Sequence, residues 1–342
     1  MYIVQKPEYY SLSGSLKPII VSSDQEDMSL VIRKGDNVIL EEIYSPDADG
    51  LITISDLDEI FDSHLEGVFN MDERRDPYVE QNKLSSDFTV QCGSLPVFEV
   101  RVLRCAAKSK YAPNLFWESL FLNMQSRNKI THAMSEEFLT VYNNERSIDV
   151  IVKLHLLKDG RIETVTKSLE YSVHYVGFFT IDVSPAFILN MYHDLKGCIA
   201  YTILYKNHSS ITYHLLPANQ KAYCFRYRNS FDLPETITAN GAFVSMHATT
   251  AENVMIRGVE TRVNLQPEAV YEFTFSPSHF KSDYALISEM ILSREIEFFI
   301  NDEWIPIIIT EEKIEETSVT GDMKECSIKF KVANKRNKRV LL

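Results

Sequence analysis

The stretch that decides the fold is residues 148–169, IDVIVKLHLLKDGRIETVTKSL. Asp159-Gly160 at its centre is the strongest hairpin dipeptide in the chain, because a two-residue loop of this type matches the twist of the flanking strands. Three more hairpins are predicted, at residues 29–44, 87–105 and 198–216. Their turns fall at Lys34-Gly35-Asp36-Asn37, near Gly93-Ser94, and at Asn207-His208-Ser209. Strand signals therefore dominate.

Helical patterns are few, and they are predicted at about residues 56–64, 184–192 and 284–293. The last is the clearest, because Ile287, Met290 and Ile291 recur at the spacing that places them on one helical face. The predicted fold class is therefore all-β, mainly antiparallel, with a few short helices.

An internal repeat suggests the domain organisation. Residues 50–61 read GLITISDLDEIF and residues 177–188 read GFFTIDVSPAFI, so Thr53-Ile54 aligns with Thr180-Ile181. Each copy follows a predicted hairpin and runs from a strand into a short helix, which indicates a duplicated β-domain. We predict tandem β-sandwich-like domains at 1–110 and 111–232, the second including a linker. A C-terminal β domain at 233–342 carries the helix at about 284–293.

The loop SPDADGLITISD, residues 45–56, has two interpretations. Asp47, Asp49 and Asp56 lie near positions where a calcium loop places its ligands, and Gly50 permits the sharp turn that such a loop needs. However, Ser45 replaces the usual first Asp, and the segment before the loop is of strand type. We predict an acidic turn leading into a strand and no bound cofactor, with a calcium loop as the alternative.

The net charge of −13 argues against a nucleic-acid binder, because neutralising phosphates requires an excess of Lys and Arg. A basic cluster near the C-terminal end is the exception. Its members are Lys331, Lys335, Arg336, Lys338 and Arg339. A solvated terminus is the favoured interpretation of this cluster, and a contact with an acidic partner is the alternative.

The sequence also predicts where the chain is made. No apolar run approaches the ~18–20 residues that span a bilayer, so no membrane insertion is predicted. Lys6 and Glu8 interrupt the N-terminal stretch where a signal peptide would be apolar. The five cysteines have no paired spacing, so reduced and mostly buried thiols are predicted. Together these features predict synthesis in the cytoplasm.

Motifs that would indicate catalysis are missing from the sequence. There is no phosphate-binding glycine loop, no nucleophile elbow and no zinc-ligand spacing, so we predict no catalytic residues and no enzymatic activity. In residues 221–237 the aromatic Phe225 and Tyr227 alternate with Arg226 and Arg228. This pattern predicts a strand with an apolar and a basic face, and a stacking platform for a sugar or base is the alternative.

The acidic run TEEKIEETSVTGDMKE, residues 310–325, also has two interpretations. The favoured one is a long, solvated hairpin between two apolar segments. A charged binding loop is the alternative.

Four segments carry a resemblance to a known group of proteins. They are YSPDADGLITISDL (44–57), FLNMQSRNKITHAMSEEFLTVY (121–142), FRYRNSFDLPETI (225–237) and YALISEMILSREIEFFINDEWIPIIIT (284–310). In this order they resemble an uncharacterised family of Bacteroidetes prophage-type, phage tail-associated β-sandwich proteins. The resemblance implies a structural component of a tail or related particle, which would be virion-associated. The family offers no catalytic residues to carry over.

Three functions are therefore to be compared. The first is a non-enzymatic structural or assembly component of a phage tail or prophage-like particle, which self-associates or binds other tail proteins. The second is a carbohydrate-binding or adhesion module that recognises a host-surface glycan through exposed aromatic rings. The third is a glycan hydrolase, which requires two carboxylates about 5 to 9.5 Å apart in one cleft.

Overall fold

The structure is a computed structural model. It describes residues 1–23, 26–71, 76–123, 127–192, 197–206, 209–217, 219–276, 282–316 and 323–333. Within these ranges strands dominate and the α-helices are short. The longest helix has ten residues, and no described helix is long and apolar enough to cross a bilayer. The all-β prediction is therefore confirmed.

The first unit is a sandwich of two sheets. This part of the chain contains, in order, β1 (Tyr2–Gln5), β2 (Tyr10–Leu12), β3 (Ile19–Ser22), β4 (Met28–Lys34), β5 (Asn37–Tyr44), β6 (Leu51–Ile54), α1 (Leu57–Asp62), β7 (Tyr78–Glu80), β8 (Ser85–Cys92) and β9 (Phe98–Leu103). All of these strands except β7 belong to the two sheets of the first sandwich. One sheet has the order β1-β3-β6 and the other β2-β9-β8-β4-β5. Alternate residues of β4, β8 and β9 are buried between them, as expected for strands with one core face.

The second unit is also a sandwich. Its elements are α2 (Leu115–Glu118), β10 (Asn128–Thr131), β11 (Phe138–Asn143), β12 (Ser147–Lys158), β13 (Arg161–Ser172), β14 (Gly177–Asp182), α3 (Pro185–Met191), β15 (Cys198–Tyr205) and β16 (Ser209–Leu215). One sheet has the order β10-β16-β15-β12-β13 and the other β11-β14-β7. Strand β7, which precedes β8 in the chain, thus completes the second sandwich and ties the two units together.

The five-stranded sheets of the two sandwiches share one topology. In each five-stranded sheet an outer strand runs parallel to its neighbour, β2 beside β9 and β10 beside β16, and all other pairs are antiparallel. The repeat strands β6 and β14 both lie in the opposing three-stranded sheet, and each leads into a short helix. The repeat seen in the sequence is therefore also a repeat of the fold.

The third unit is a single curled sheet with one helix. Its elements are β17 (Tyr223–Arg228), β18 (Pro234–Ala239), β19 (Gly241–Ile256), β20 (Val259–Phe275), α4 (Ser282–Ile291), β21 (Ile296–Ile300), β22 (Glu303–Glu316) and β23 (Met323–Val332), in the sheet order β18-β17-β21-β22-β23-β20-β19. Rings from opposite ends of this order meet. Phe225 of β17 lies 5.3 Å from Phe273 of β20, and Phe243 of β19 lies 5.4 Å from Phe298 of β21. The sheet therefore curls into a barrel around an aromatic core.

Helix α4 covers one end of this barrel. Leu286, Ile287 and Met290 are buried in its core, and Leu286 and Ile287 line the same cavity as Phe275 of β20. The barrel sheet includes β17, which begins at Tyr223. This is ten residues before position 233, where the C-terminal domain was predicted to begin. The helices predicted at 56–64, 184–192 and 284–293 correspond to α1, α3 and α4.

The predicted hairpins all form. Their turns separate β4 from β5, β8 from β9, β12 from β13, and β15 from β16. Residues 310–325 contribute to the β22–β23 hairpin, although its turn at 317–322 lies outside the described residues, as do positions 207 and 208. The five cysteines are unbridged and four are buried, as predicted. Helix α2 and the long β19–β20 hairpin were not predicted.

Candidate functional site

Asp47, Asp49 and Asp56, the ligands of the alternative calcium loop, do not form a metal-binding group. Asp47 turns its carboxylate back onto its own loop, where Oδ1 accepts hydrogen bonds from the backbone N–H groups of Asp49 (2.9 Å) and Leu51 (2.8 Å). Asp56 precedes α1, and its Oδ1 accepts a bond from the Ser55 hydroxyl. No group of three His, Cys, Asp or Glu side chains suited to a metal occurs among the described residues. The loop is thus a hydrogen-bonded acidic turn that leads into β6.

The arginine-aromatic segment forms strand β17, but its basic face is not solvated. Phe225 and Tyr227 point into the barrel core, while Arg226 is only 1% exposed. The Arg226 guanidinium lies 4.6 Å from the ring of Trp304 and is within 3.1 Å of a carboxylate on either side. No sugar or base can therefore stack on this strand. Residues 334–342, with four of the five predicted basic tail residues, lie outside the described residues.

A buried cluster of charged side chains lies where the second sandwich meets the barrel. Lys129 of β10 is 2.7 Å from Glu137 and 2.6 Å from Glu235 of β18, and all three side chains are at most 3% exposed. Asn123 donates a further hydrogen bond to Glu235 at 2.8 Å. The lysine thus joins a carboxylate of its own sandwich to one of the barrel.

This cluster holds two carboxylates against one cation in a dry site. Burial lowers the pKa of Lys129, but the two carboxylates outweigh burial and raise it, so the lysine stays protonated. Burial raises the pKa of Glu137 to about 7 even though Lys129 lies beside it. A second buried negative charge is costly, and protonation of Glu137 removes it.

Arg226 makes a second connection between the same two units. Its guanidinium bridges Glu136, just before β11, at 3.1 Å and Glu297 of β21 at 2.7 Å. Because Glu136 and Glu137 are adjacent, one short segment of the second sandwich is anchored by both clusters.

Asp232 connects the first sandwich to the barrel. Its carboxylate lies 3.3 Å from Arg104, 3.4 Å from Arg228 and 2.5 Å from Arg294, and it accepts the backbone N–H of Gly67 at 3.1 Å. Gly67 cannot carry a side chain, because an added Cβ would lie 2.3 Å from the Asp232 carbonyl oxygen. These contacts hold the first sandwich in one orientation.

The junction is closed to solvent. Lys129 brings the carboxylates of Glu137 and Glu235 together, and both side chains are at most 1% exposed. A glycan therefore cannot reach them as it reaches the paired acids of a glycosidase cleft. The chemistry that remains is a set of interdomain ion pairs with one carboxyl group that titrates near neutral pH.

The second feature of note is a long ribbon that leaves the barrel. Strand β20 pairs with β23 only over Tyr271–Phe275, whereas it pairs with β19 along nearly its whole length. Residues 246–270 therefore form a two-stranded ribbon that pairs with no third strand among the described residues, and we call this ribbon the arm. At about 3.3 Å per residue it extends roughly 35 Å beyond the barrel.

The end of the arm is apolar and exposed. Arg257 and Gly258 form its two-residue turn, with φ of 53° and 81°, a conformation that favours glycine and matches a type I′ hairpin. Around this turn lie Val254, Met255, Ile256 and Val259, which are 42%, 67%, 46% and 64% exposed. We call residues 253–260 the tip.

Among the described residues, no helix covers the end of the barrel from which the arm leaves. A small apolar cavity of about 20 Å³ lies there, lined by Phe243, Tyr271, Phe298, Ile300, Asn301, Ile305, Ile307, Phe330 and Val332, and we call it the mouth. Tyr271 lines the mouth, while Phe275, four residues along the same strand, faces α4. The arm therefore begins beside the mouth and points away from it.

Sequence patterns only partly predict the arm, the buried arginines of β17 and the Lys129 cluster. Ile256-Arg257-Gly258-Val259 has a glycine where a two-residue hairpin needs one, and this was the available signal for the arm. The alternation of Arg with Phe and Tyr in β17 signalled a strand but not the burial of its arginines. Lys129 and Glu235 are far apart in the chain, so no local pattern could pair them.

In sequence comparisons, no protein-family model and no curated protein matches this chain. These comparisons therefore do not identify a family for the chain.

The acidic turn provides the first prediction. We expect millimolar calcium to leave the melting temperature of the protein unchanged. We expect Asp47→Ala to lower the free energy of unfolding by about 1 kcal/mol, because two backbone N–H groups lose their acceptor. Asp49→Ala is the matched control, since no hydrogen bond to its carboxylate is seen among the described residues. A calcium-dependent rise in melting temperature that disappears in Asp47→Ala would show a metal site instead.

Glu137 provides a prediction on pH dependence. Its folded-state pKa of about 7 exceeds the ordinary value of 4.5, so the folded state retains the proton more tightly than the unfolded chain. This stabilisation is complete below about pH 4.5 and is lost as the pH rises toward 7. Glu137→Gln does not titrate, so from about pH 5 to pH 8 it should gain up to about 3 kcal/mol relative to wild type.

Denaturant unfolding of both proteins across this pH range measures the difference. The control is Glu163→Gln, which removes an exposed carboxylate that pairs with Lys158. We expect this variant to follow the wild type at every pH, because exposed ion pairs contribute little. A constant difference between Glu137→Gln and wild type from pH 5 to pH 8 would contradict the assignment.

Proposed function

We propose that this protein is a non-enzymatic structural component of a multi-copy, β-rich assembly of the kind that forms a phage tail or prophage-like particle. The arm is the observation that carries the proposal. A two-stranded ribbon is marginally stable by itself in water, and this one ends in exposed apolar side chains. A neighbouring molecule that covers the ribbon would remove both disadvantages.

The charged junction supports the same function. A building block has to present its contact surfaces in a fixed relation, and the three units are joined by ion pairs at Lys129, Arg226 and Asp232, of which those of Lys129 are fully buried. Breaking such a pair leaves an uncompensated buried charge, which is strongly destabilising. The barrel, from which the arm leaves, is therefore held in a fixed relation to the sandwiches before assembly begins.

The order of the four resembling segments also favours a tail component. Three of them overlap elements of the junction or barrel, because they contain Lys129, Arg226 or Trp304. These segments supply structure rather than chemistry, as expected for a protein that functions through shape and contact.

The carbohydrate-binding alternative has weaker support. Sugar recognition of this type uses a row of exposed aromatic rings on one face. Among the side chains that the structure describes, only Tyr2 and Tyr9 are aromatic and exposed. Most aromatic rings pack in the cores instead, so the assembly proposal is preferred.

Solution mass tests the proposal. We expect light scattering to show multimers of the full chain whose mass rises with protein concentration and does not depend on calcium. The matched control replaces residues 246–270 by an Asn-Gly turn. Ser245 and Tyr271 are paired in the register, so a two-residue turn can close the shortened hairpin.

We expect the shortened protein to stay folded and to remain monomeric at concentrations where the full chain assembles. A full chain that is monomeric at every concentration would contradict the proposal. Glycan binding by that monomer would favour the carbohydrate-binding module.

A further inference from the structure

We propose that the tip of the arm docks on the mouth of the barrel of a second copy of this chain. This inference rests on the proposed function, because it identifies the partner of the arm and the surface that receives it. The contact is heterologous: the tip of each copy binds the mouth of the next, while its own mouth receives another tip.

The mouth and the tip are two matching apolar surfaces of the same chain. The floor of the mouth is formed by Tyr271, Phe298 and Phe330, and its rim by half-buried apolar residues such as Ile300 and Ile305. The tip presents four exposed aliphatic or thioether side chains. The cavity of about 20 Å³ admits little more than one methyl group, so the tip covers the rim and inserts one such group.

The tip of a copy cannot reach the mouth of the same copy. The arm begins at the rim of its own mouth, and its antiparallel pairing continues to the turn at Arg257-Gly258. The tip is therefore about 35 Å from its own mouth, at about 3.3 Å per residue. Only the mouth of another molecule lies within its reach.

The tip and the surroundings of the mouth carry opposite charges. Arg257 lies at the apex of the arm and is exposed. The β21–β22 turn beside the mouth carries Asp302 and Glu303, which are also exposed. Asn301 of this turn lines the mouth, so a tip seated there brings the Arg257 cation to these two carboxylates.

The consequence is a head-to-tail arrangement. A contact between two different surfaces of identical copies closes into a ring when the rotation between copies divides a full turn, and otherwise continues as a filament. Rings and filaments are both tail-like architectures, whereas a symmetric dimer would use one surface on both copies.

Apolar variants test the tip. We expect Val254→Asp to weaken assembly by at least about tenfold in the apparent dissociation constant, because a charge would be buried against the mouth. Val244→Asp is the matched control. Val244 is on the same strand and is similarly exposed, at 49% against 42%, but it lies outside the tip. We expect this variant to assemble as the wild type does.

A charge exchange tests the mouth. Arg257→Asp and Glu303→Lys should each weaken assembly several-fold by placing like charges together, and the double variant should recover most of the loss. Aspartate tolerates the left-handed backbone of position 257, so the turn is preserved. Circular dichroism of each variant monitors folding.

Two outcomes would overturn the inference while leaving the proposed function intact. In one, the full chain assembles but Val254→Asp and the charge reversals have no effect, so that another surface mediates the contact. In the other, truncation after Ala333 weakens assembly as strongly as Val254→Asp, which would identify the C-terminal segment as the occupant of the mouth. Recovery in the double-charge variant, with the truncated chain unaffected, supports the docking of tip on mouth.

Discussion

Lys129, placed between Glu137 and Glu235, fixes how the second sandwich and the barrel meet. The cation is fully buried, so neither carboxylate can move away from it without exposing an unpaired charge to a low-dielectric interior. Arg226 and Asp232 add partly exposed ion pairs between units at two neighbouring positions. A shared apolar cluster that includes Leu103, Phe178 and Leu233 joins the three units further, and the arm leaves the barrel of that joined body.

The distribution of apolar surface explains why such a body would assemble. Each sandwich closes its core between two sheets, and strand β7 completes the second sandwich from a part of the chain that precedes β8. The barrel is different, because α4 covers one end of its core and leaves the other end open. The exposed apolar residues of the tip and the open mouth are thus two incomplete surfaces in one molecule, and the proposed contact between copies would complete both.

Much of the fold could be predicted from the sequence, since it is encoded locally. Asp159-Gly160 specifies its hairpin through the turn conformation, and the repeat beginning at Gly50 and Gly177 marks equivalent strands of two similar sandwiches. The site is encoded differently. The partners of Lys129 and Asp232 come from separate units, so their pairing depends on how the domains pack. Sequence alternation predicted the basic face of β17, but whether such a face meets water or a carboxylate is decided by tertiary contacts.

Hydrogen exchange of the arm, measured as a function of protein concentration, tests the central claim most directly. Within the described part of the chain, the backbone amides of residues 246–270 pair only with one another, as two strands of one hairpin. The account predicts rapid exchange in dilute solution, and protection that appears in parallel with the increase in solution mass. An arm that exchanges rapidly in the fully assembled protein, or one already protected in the monomer, would contradict it.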